Sequence, residues 1–226
     1  QSAHAQNRPA PNVVENDNTI IVTAQKRAEN IQDVPMAVTA LTSKALDEQK
    51  IEGGPDLLKG VPNVSFTKTN FTSYNIQIRG IGTQAIAAST DPGVAITYNY
   101  QTLLVNRLFE QEFFDMDRVE VLRGPQGTLY GRDATGGVVN LVPKKPVLDK
   151  FEGGLTGEVG NYNGRRGNAF INIPLGDLTA LRVAGSFTDR DGYTYNSSTE
   201  NRIDGRNLWS LRTSLRFKPA DNFTAD

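Results

Sequence analysis

Cysteine is absent from the 226 residues, and histidine occurs once, at His4. Without Cys there is no disulfide framework, no thiolate nucleophile and no cysteine-based zinc site. A single His in a polar leader also removes His-dependent catalysis and multi-His metal sites. No apolar run approaches the roughly 18 residues that a membrane-spanning helix needs, so contact with a bilayer has to be made by strands. An excess of one charge is missing too: 24 Lys and Arg stand against 25 Asp and Glu. That balance lacks the basic surplus of a dedicated nucleic-acid binder. With 38% hydrophobic and 22% charged residues, the chain nevertheless has the composition of a folded protein.

Several textures succeed one another along the chain. Residues 1–18 are polar, contain Pro9 and Pro11 and have no apolar h-region, so they read as a disordered leader at an already processed start. Thr19-Ile20-Ile21-Val22-Thr23-Ala24 is a short β-branched run closed by Gln25-Lys26-Arg27. Such an isolated strand must pair, either as an edge strand of its own domain or with a partner. Residues 42–50 read as a helix capped by Thr42 or Ser43 and stopped by Gly53-Gly54, and 56–59 as a second short helix before Pro62. Val64, Phe66, Ile76 and Ile78 alternate with polar residues, and 94–98 and 119–122 are further strands. Residues 19 to 146 thus predict a small α+β domain, rich in glycine between Gly124 and Gly137.

After Pro143-Lys144-Lys145-Pro146 the helix signals stop and a period of two takes over. Trp209, Leu211, Thr213, Leu215 and Phe217 share one face, with Ser210, Arg212, Ser214 and Arg216 on the other. Leu181, Val183, Gly185 and Phe187 likewise oppose Arg182, Ala184, Ser186 and Thr188, and Ala169, Ile171 and Ile173 oppose Asn168 and Asn172, with Phe170 an apolar exception on that second face. A soluble sandwich can alternate this way. Segments near ten residues with Arg on the polar face and uneven connections fit a membrane barrel better. Four strands and the start of a fifth are present, too few to close a barrel, since the smallest have about eight.

Motifs that imitate catalytic signatures fail on spacing. Gly80-Ile81-Gly82-Thr83-Gln84-Ala85 lacks the acidic residue about 20 positions on that a dinucleotide site requires. The stretch from Gly124 to Asp133 has Arg132-Asp133 where a phosphate loop needs Lys and Ser or Thr. Glu110, Glu112, Asp115 and Asp117 form an acidic cluster without the glycine-bearing loop of a calcium hand, and read as a solvated face. Asp189-Arg190-Asp191-Gly192 is a strand-to-loop turn. No nucleophile, base and orienter assemble, so nothing here reads as an enzyme.

The run Val119-Glu120-Val121-Leu122-Arg123-Gly124-Pro125-Gln126-Gly127-Thr128-Leu129-Tyr130-Gly131-Arg132-Asp133-Ala134-Thr135-Gly136-Gly137-Val138-Val139-Asn140 resembles the plug signature of TonB-dependent outer-membrane receptors. Three further pieces follow the family's order. Ile20 to Arg27 resembles a TonB box with its continuation, Asp33-Val34-Pro35 with Val38 and Leu41 the opening plug strand, and Ile76 to Gly82 the Arg-Gly segment. The resemblance implies a plug over 25–147 after a TonB box at Thr19, Ile20, Ile21, Val22, Thr23 and Ala24. It further implies that 148–226 are the first four to five strands of a barrel of about 22 strands. Two departures stand out: Tyr98-Asn99-Tyr100-Gln101-Thr102 lacks the usual Asp-Gly turn, so a differently shaped loop is expected, and the chain stops near the fifth strand.

The resemblance also implies a mechanism. The TonB box adds as a strand to the periplasmic partner TonB, and Arg79-Gly80 and Arg123-Gly124 latch the plug to carboxylates of the barrel wall outside this sequence. Pro125, Gly127, Tyr130, Gly131, Gly136 and Gly137 shape the plug. The expected activity is energy-coupled import of a scarce nutrient, most often a ferric siderophore, across the outer membrane of a Gram-negative bacterium. Plug and N-terminus then face the periplasm and the strands face lipid. No cofactor, resident metal or nucleic acid is implied. Tyr98, Tyr100 and the loop from Tyr193 to Asn201 are the candidates to face a ligand. A free plug-like binding or signalling module and an uncoupled structural β protein are the alternatives.

Overall fold

The structure is a computed structural model that describes residues 20–68, 74–82, 91–103, 111–220 and 222–226. The leader 1–18, Thr19, Thr83, Gln84, Ala85 and Glu110, all named above, lie outside the described residues. Short strands β1 (Ile21–Val22) and β2 (Glu29–Asn30) pair antiparallel. Strand β3 (Ala37–Thr42) leads into helix α1 (Ser43–Glu48), where Thr42 Oγ1 accepts from the Ala45 amide at 3.3 Å as an N-cap. The helix stops earlier than Gly53-Gly54 suggests. Gln49 caps it, Lys50 turns left-handed (φ 50°), and Gly54–Asp56 form a 3-10 turn ahead of α2 (Leu57–Gly60). The domain is completed by β4 (Val64–Lys68), β5 (Tyr74–Ile78), β6 (Val94–Tyr98), β7 (Gln101–Thr102), β8 (Met116–Arg123), α3 (Gly127–Tyr130) and β9 (Gly137–Pro143).

Its central sheet has the order β3-β8-β9-β6-β7, with β6 and β9 parallel and the other neighbours antiparallel. Strand β9 is buried at every position, as a nearly continuous apolar run in mid-sheet requires. Successive side chains of β8 serve opposite faces. Val119 and Val121 join Leu41, Leu46, Leu57 and Val139 in one core, and Leu122 joins Val22, Ala24, Tyr130 and Val138 in the other. Between β6 and β7, Tyr98 pairs with Gln101 across Asn99 and Tyr100, whose φ angles are 47° and 66°. Positive φ at both central residues makes this the primed two-residue hairpin turn usually built from Asp-Gly. The altered shape expected there is therefore not found. Asn tolerates the left-handed backbone, and Tyr100 adopts it at a cost of about 1–2 kcal/mol.

Beyond Pro146 the chain forms a wall: β10 (Glu152–Gly160), β11 (Gly164–Pro174), β12 (Thr179–Arg190), then β13 (Thr194–Asn196) and β14 (Asn201–Ile203) as a small hairpin inside a loop. Strands β15 (Arg206–Ala220) and β16 (Phe223–Ala225) follow. The wall sheet runs β10-β11-β12-β15-β16, antiparallel throughout and not closed. Its outer face carries Leu155, Val159, Trp209 and Leu211, which are 84%, 89%, 77% and 67% exposed. The inner face carries Asn172, Arg182, Ala184 and Ser186, all buried, with Arg182 and Ser186 bonded to Asp115 and Glu112 of the first domain. Apolar side out and polar side in is the reverse of a soluble sandwich and the pattern of a lipid-facing barrel wall. The fold is thus the expected α+β domain followed by antiparallel barrel strands.

Candidate functional site

The β-branched segment at the start of the described chain is docked rather than free. Ile21 pairs with Asn30 and Val22 with Glu29, and the Ile31 amide donates to the Ile20 carbonyl at 2.9 Å. Val22 and Ala24 are fully buried on the second core. Between them Thr23 turns to a single carboxylate. Its amide and its Oγ1 donate to Glu120 Oε1 at 2.8 and 3.0 Å, and Arg118 Nε donates to the same oxygen at 2.7 Å. Asn140 Nδ2 donates to Glu120 Oε2 at 3.1 Å, and Arg118 Nη2 donates to Thr23 Oγ1 at 3.1 Å. The Tyr130 hydroxyl closes the site by donating to the Ala24 carbonyl at 3.1 Å. Burial, together with Glu120 and Tyr100, pushes the Tyr130 pKa up to about 12, so it stays a donor at neutral pH. Burial opposes the charge of Arg118, but Glu120 beside it more than compensates and holds its pKa above the ordinary value.

The glycine-rich loop folds around this site. Gly124 (φ 103°) turns the chain out of β8 and donates to the Gly136 carbonyl at 3.1 Å, and beyond Pro125 the Gln126 amide donates to Ala134 O at 2.8 Å. Gly127 opens α3 and Gly131 (φ 80°) ends it. Gly137 (φ 150°) lies so close to the Leu122 carbonyl that a Cβ there has no room. Gly136 also sits close to backbone: an added Cβ would lie 2.6 Å from Ile81 O. Arg79 is exposed and left-handed (φ 55°), with Gly80 (φ 77°) after it, and its amide donates to Asn63 O at 2.8 Å. Arg123 Nη2 donates to Thr39 Oγ1 at 2.9 Å. Among the described residues neither arginine reaches a wall carboxylate.

The arginine ion pairs that do cross from plug to wall have the opposite polarity: the carboxylates are in the plug and the arginines in the wall. Asp115 takes Arg182 Nε at 2.9 Å and Nη2 at 2.5 Å, and Arg212 Nη2 at 2.5 Å. Arg182 also donates to Glu152 at 3.0 Å, and Arg212 to the Tyr98 hydroxyl at 3.0 Å. Glu112 Oε2 accepts from Thr188 at 2.6 Å and Ser186 at 3.3 Å, with Arg166 and Arg206 within 3.9 and 3.8 Å of its carboxylate. The expectation of a solvated acidic face is therefore overturned for Glu112 and Asp115. Their hydrogen-bond partners lie 67 to 97 residues away, beyond any local pattern. Asp117 pairs with its neighbour Arg118. A second, more open contact joins Lys50 Nζ to Glu158 at 2.6 Å and Glu52 to Arg166. The hydrogen bond from Lys50 to Glu158 raises the Lys50 pKa. Tyr98 sits half-buried at the seam, and Lys145 lies over the Tyr100 ring at 5.8 Å. Tyr193 instead meets Tyr162 edge-on at 4.9 Å under the Arg190 guanidinium. The seam residues of the wall were half legible, because alternation places Arg182 and Arg212 on the polar face. Their plug partners were not.

Residues 30–138 match the TonB-dependent Receptor Plug Domain. The chain is 29% identical over 218 residues to the iron-regulated outer membrane virulence protein of Vibrio cholerae, covering 92% of itself and 33% of that protein. It is 31% identical over 183 residues to the catecholate siderophore receptor Fiu of Escherichia coli, covering 76% of itself and 22% of the relative. The crystal structure of the ferric yersiniabactin uptake receptor FyuA from Yersinia pestis superposes with a TM-score of 0.74 at 25% identity, over 82% of this chain and 29% of that one. The chain thus spans a third or less of the length of these relatives. Plug signature, docked segment, outward apolar wall and relatives converge, and the chain belongs to the TonB-dependent outer-membrane receptors as a plug followed by barrel strands.

Proposed function

We propose that the protein imports a ferric siderophore across the outer membrane, energised by TonB from the periplasm, with no catalytic step. The relatives supply the substrate class: a ferric-pyoverdine receptor, a catecholate siderophore receptor and a ferric yersiniabactin uptake receptor are among them. The single observation that carries coupling is the docked segment 20–24. It is a β-former whose amide and hydroxyl at Thr23 converge on Glu120. Release of that contact frees main-chain groups for strand addition to TonB, and a pull on the paired segment then acts on the plug along the chain that leads from Ala24 into β2 and β3. Plug and N-terminus face the periplasm in this reading, and Arg79 and Arg123 meet wall carboxylates on strands outside this chain.

The exposed apolar outer face at Trp209 and Leu211 speaks against a free, soluble plug module. Deletion of Ile20 to Thr23 is expected to leave ferric siderophore binding to whole cells intact and to abolish energy-dependent accumulation. Normal accumulation by the deletion variant sinks the coupling claim, and absence of binding by the unaltered receptor sinks the substrate class.

A further inference from the structure

The connection from plug to wall, residues 144–150, has no helix or strand of its own, yet it is tied down at both ends. Lys144, just past β9, donates its amide to the Asp115 carbonyl at 3.0 Å. Its ammonium lies 6.0 Å from the centre of the Phe170 ring, and the Arg182 guanidinium lies 4.3 Å from the same ring. Phe170, the apolar exception on the inner face of β11, is thus a platform shared by a cation of the connection and a cation of the wall. Gly154 is its partner in register, and a Cβ there would lie 2.6 Å from the ring.

Two residues further along the same face, Asn172 is fully buried and turns its whole side-chain amide to the connection. Its Oδ1 accepts from the Val147 amide at 2.9 Å, and its Nδ2 donates to the carbonyls of Val147 at 2.9 Å and Lys150 at 2.6 Å. The side chain stands in for the peptide group of a neighbouring strand, pairing both ways with one residue. Val147, Asp149 and Lys150 are exposed, so burial does little to hold this stretch and the Asn172 clip does more. Asn172 faces Arg182 in the register of β11 and β12. The clip therefore lies beside the buried Arg182–Asp115 contact, and clip and seam form one girdle.

We propose that Asn172 anchors the plug: it is a positioning residue that pins 147–150 to the wall and keeps Asp115 registered on Arg182 and Arg212 while the N-terminal segment is pulled. The role rests on the energised import reading above. A domain pulled at its start and held at its end deforms and returns to a single seat. Without the anchor, the same pull displaces the whole plug and opens the lumen.

The test uses the full receptor. In detergent, Asn172→Ala is expected to speed exchange of the Val147 amide about tenfold, the effect of losing one hydrogen bond. Asn168→Ala, on the same face with an Oδ1 that has no partner among the described residues, is expected to leave it unchanged. In whole cells Asn172→Ala is expected to admit vancomycin, a glycopeptide that the intact outer membrane excludes. A further deletion of Ile20 to Thr23 is expected to stop that leak. Should the alanine variant not assemble, Asn172→Ser takes its place, since a hydroxyl cannot pair both ways with Val147. Unchanged exchange at Val147 overturns the clip. A leak that survives the deletion marks a plug misplaced at rest and overturns the anchor, as does the absence of any leak from an assembled variant. Normal siderophore accumulation after deletion of Ile20 to Thr23 with Asn172 intact overturns the coupled reading, and the anchor under load with it.

Discussion

The two flanks of the plug use the same ion-pair chemistry at opposite burial. Against β12 and β15, Asp115 and Arg182 meet at 2.5 Å with side chains only 4% and 2% exposed. Against β10, Lys50 and Glu158 meet at 2.6 Å with 63% and 40% exposed. Distance does not separate them, and desolvation does. Removing one member of a buried pair strands a charge in low dielectric, at about 3–5 kcal/mol, whereas an exposed pair contributes about 0–1 kcal/mol. One flank is held by a desolvated charge pair and the other by a screened one. The largest expected effect is accordingly that of Asp115→Asn, which leaves Arg182 and Arg212 short of an anion. Glu152 still serves Arg182, so a loss near 3 kcal/mol in plug seating is expected. It is to be read as faster proteolysis of the plug in the detergent-solubilised receptor. Cleavage at the unaltered rate removes the distinction between the flanks.

Glu120→Gln comes next and tests whether the docked segment 20–24 is held as firmly as the buried seam at Asp115. Glu120 is fully buried and accepts four hydrogen bonds, two of them from Thr23. Hydrogen bonds to a charged acceptor contribute about 1.5–3 kcal/mol, so undocking of that order is expected. Amide hydrogen exchange at Thr23 should accelerate while β9 stays protected. Unchanged exchange assigns the docking to burial of Val22 and Ala24 alone. Smaller again is Lys50→Ala, within about 1 kcal/mol and weaker still in high salt. A loss matching that of Asp115→Asn breaks the comparison outright.

What the sequence disclosed follows from how local each signal is. The Thr42 cap, the alternation of Trp209 to Phe217 and the signature from Val119 to Asn140 are contiguous, and each specifies its own element. The plug-to-wall contacts are not contiguous. Asp115 and Glu112 look like a solvated patch because their arginines lie on strands some fifty to a hundred residues later. The Asn99-Tyr100 turn shows a different limit. A cross-strand register between β6 and β7 held the tight turn even though its preferred glycine is missing. Segment 20–24 is legible as a strand, but its docking is not, since Glu120 and Tyr130 reach it across about a hundred residues.

Tyr130 offers a contact without charge at neutral pH and so isolates burial from ion pairing. Its hydroxyl donates to Ala24 at 3.1 Å, and its pKa is raised to about 12. An unfolded tyrosine loses its proton near 10. Between these two values the undocked state has shed a proton that the docked state retains, so docking weakens as pH rises from about 10 to about 12. Below 10 both states are protonated and this contribution is constant, which makes it the smallest effect under ordinary conditions. Tyr130→Phe removes one neutral hydrogen bond, worth about 0.5–1.5 kcal/mol, and with it the titration. Exchange at the Thr23 amide, followed with pH after correction for intrinsic rates, should steepen above 10 in the unaltered protein and not in the variant. Identical profiles mean that Tyr130 packs against the segment without holding it, and leave Glu120 as the contact that docks it.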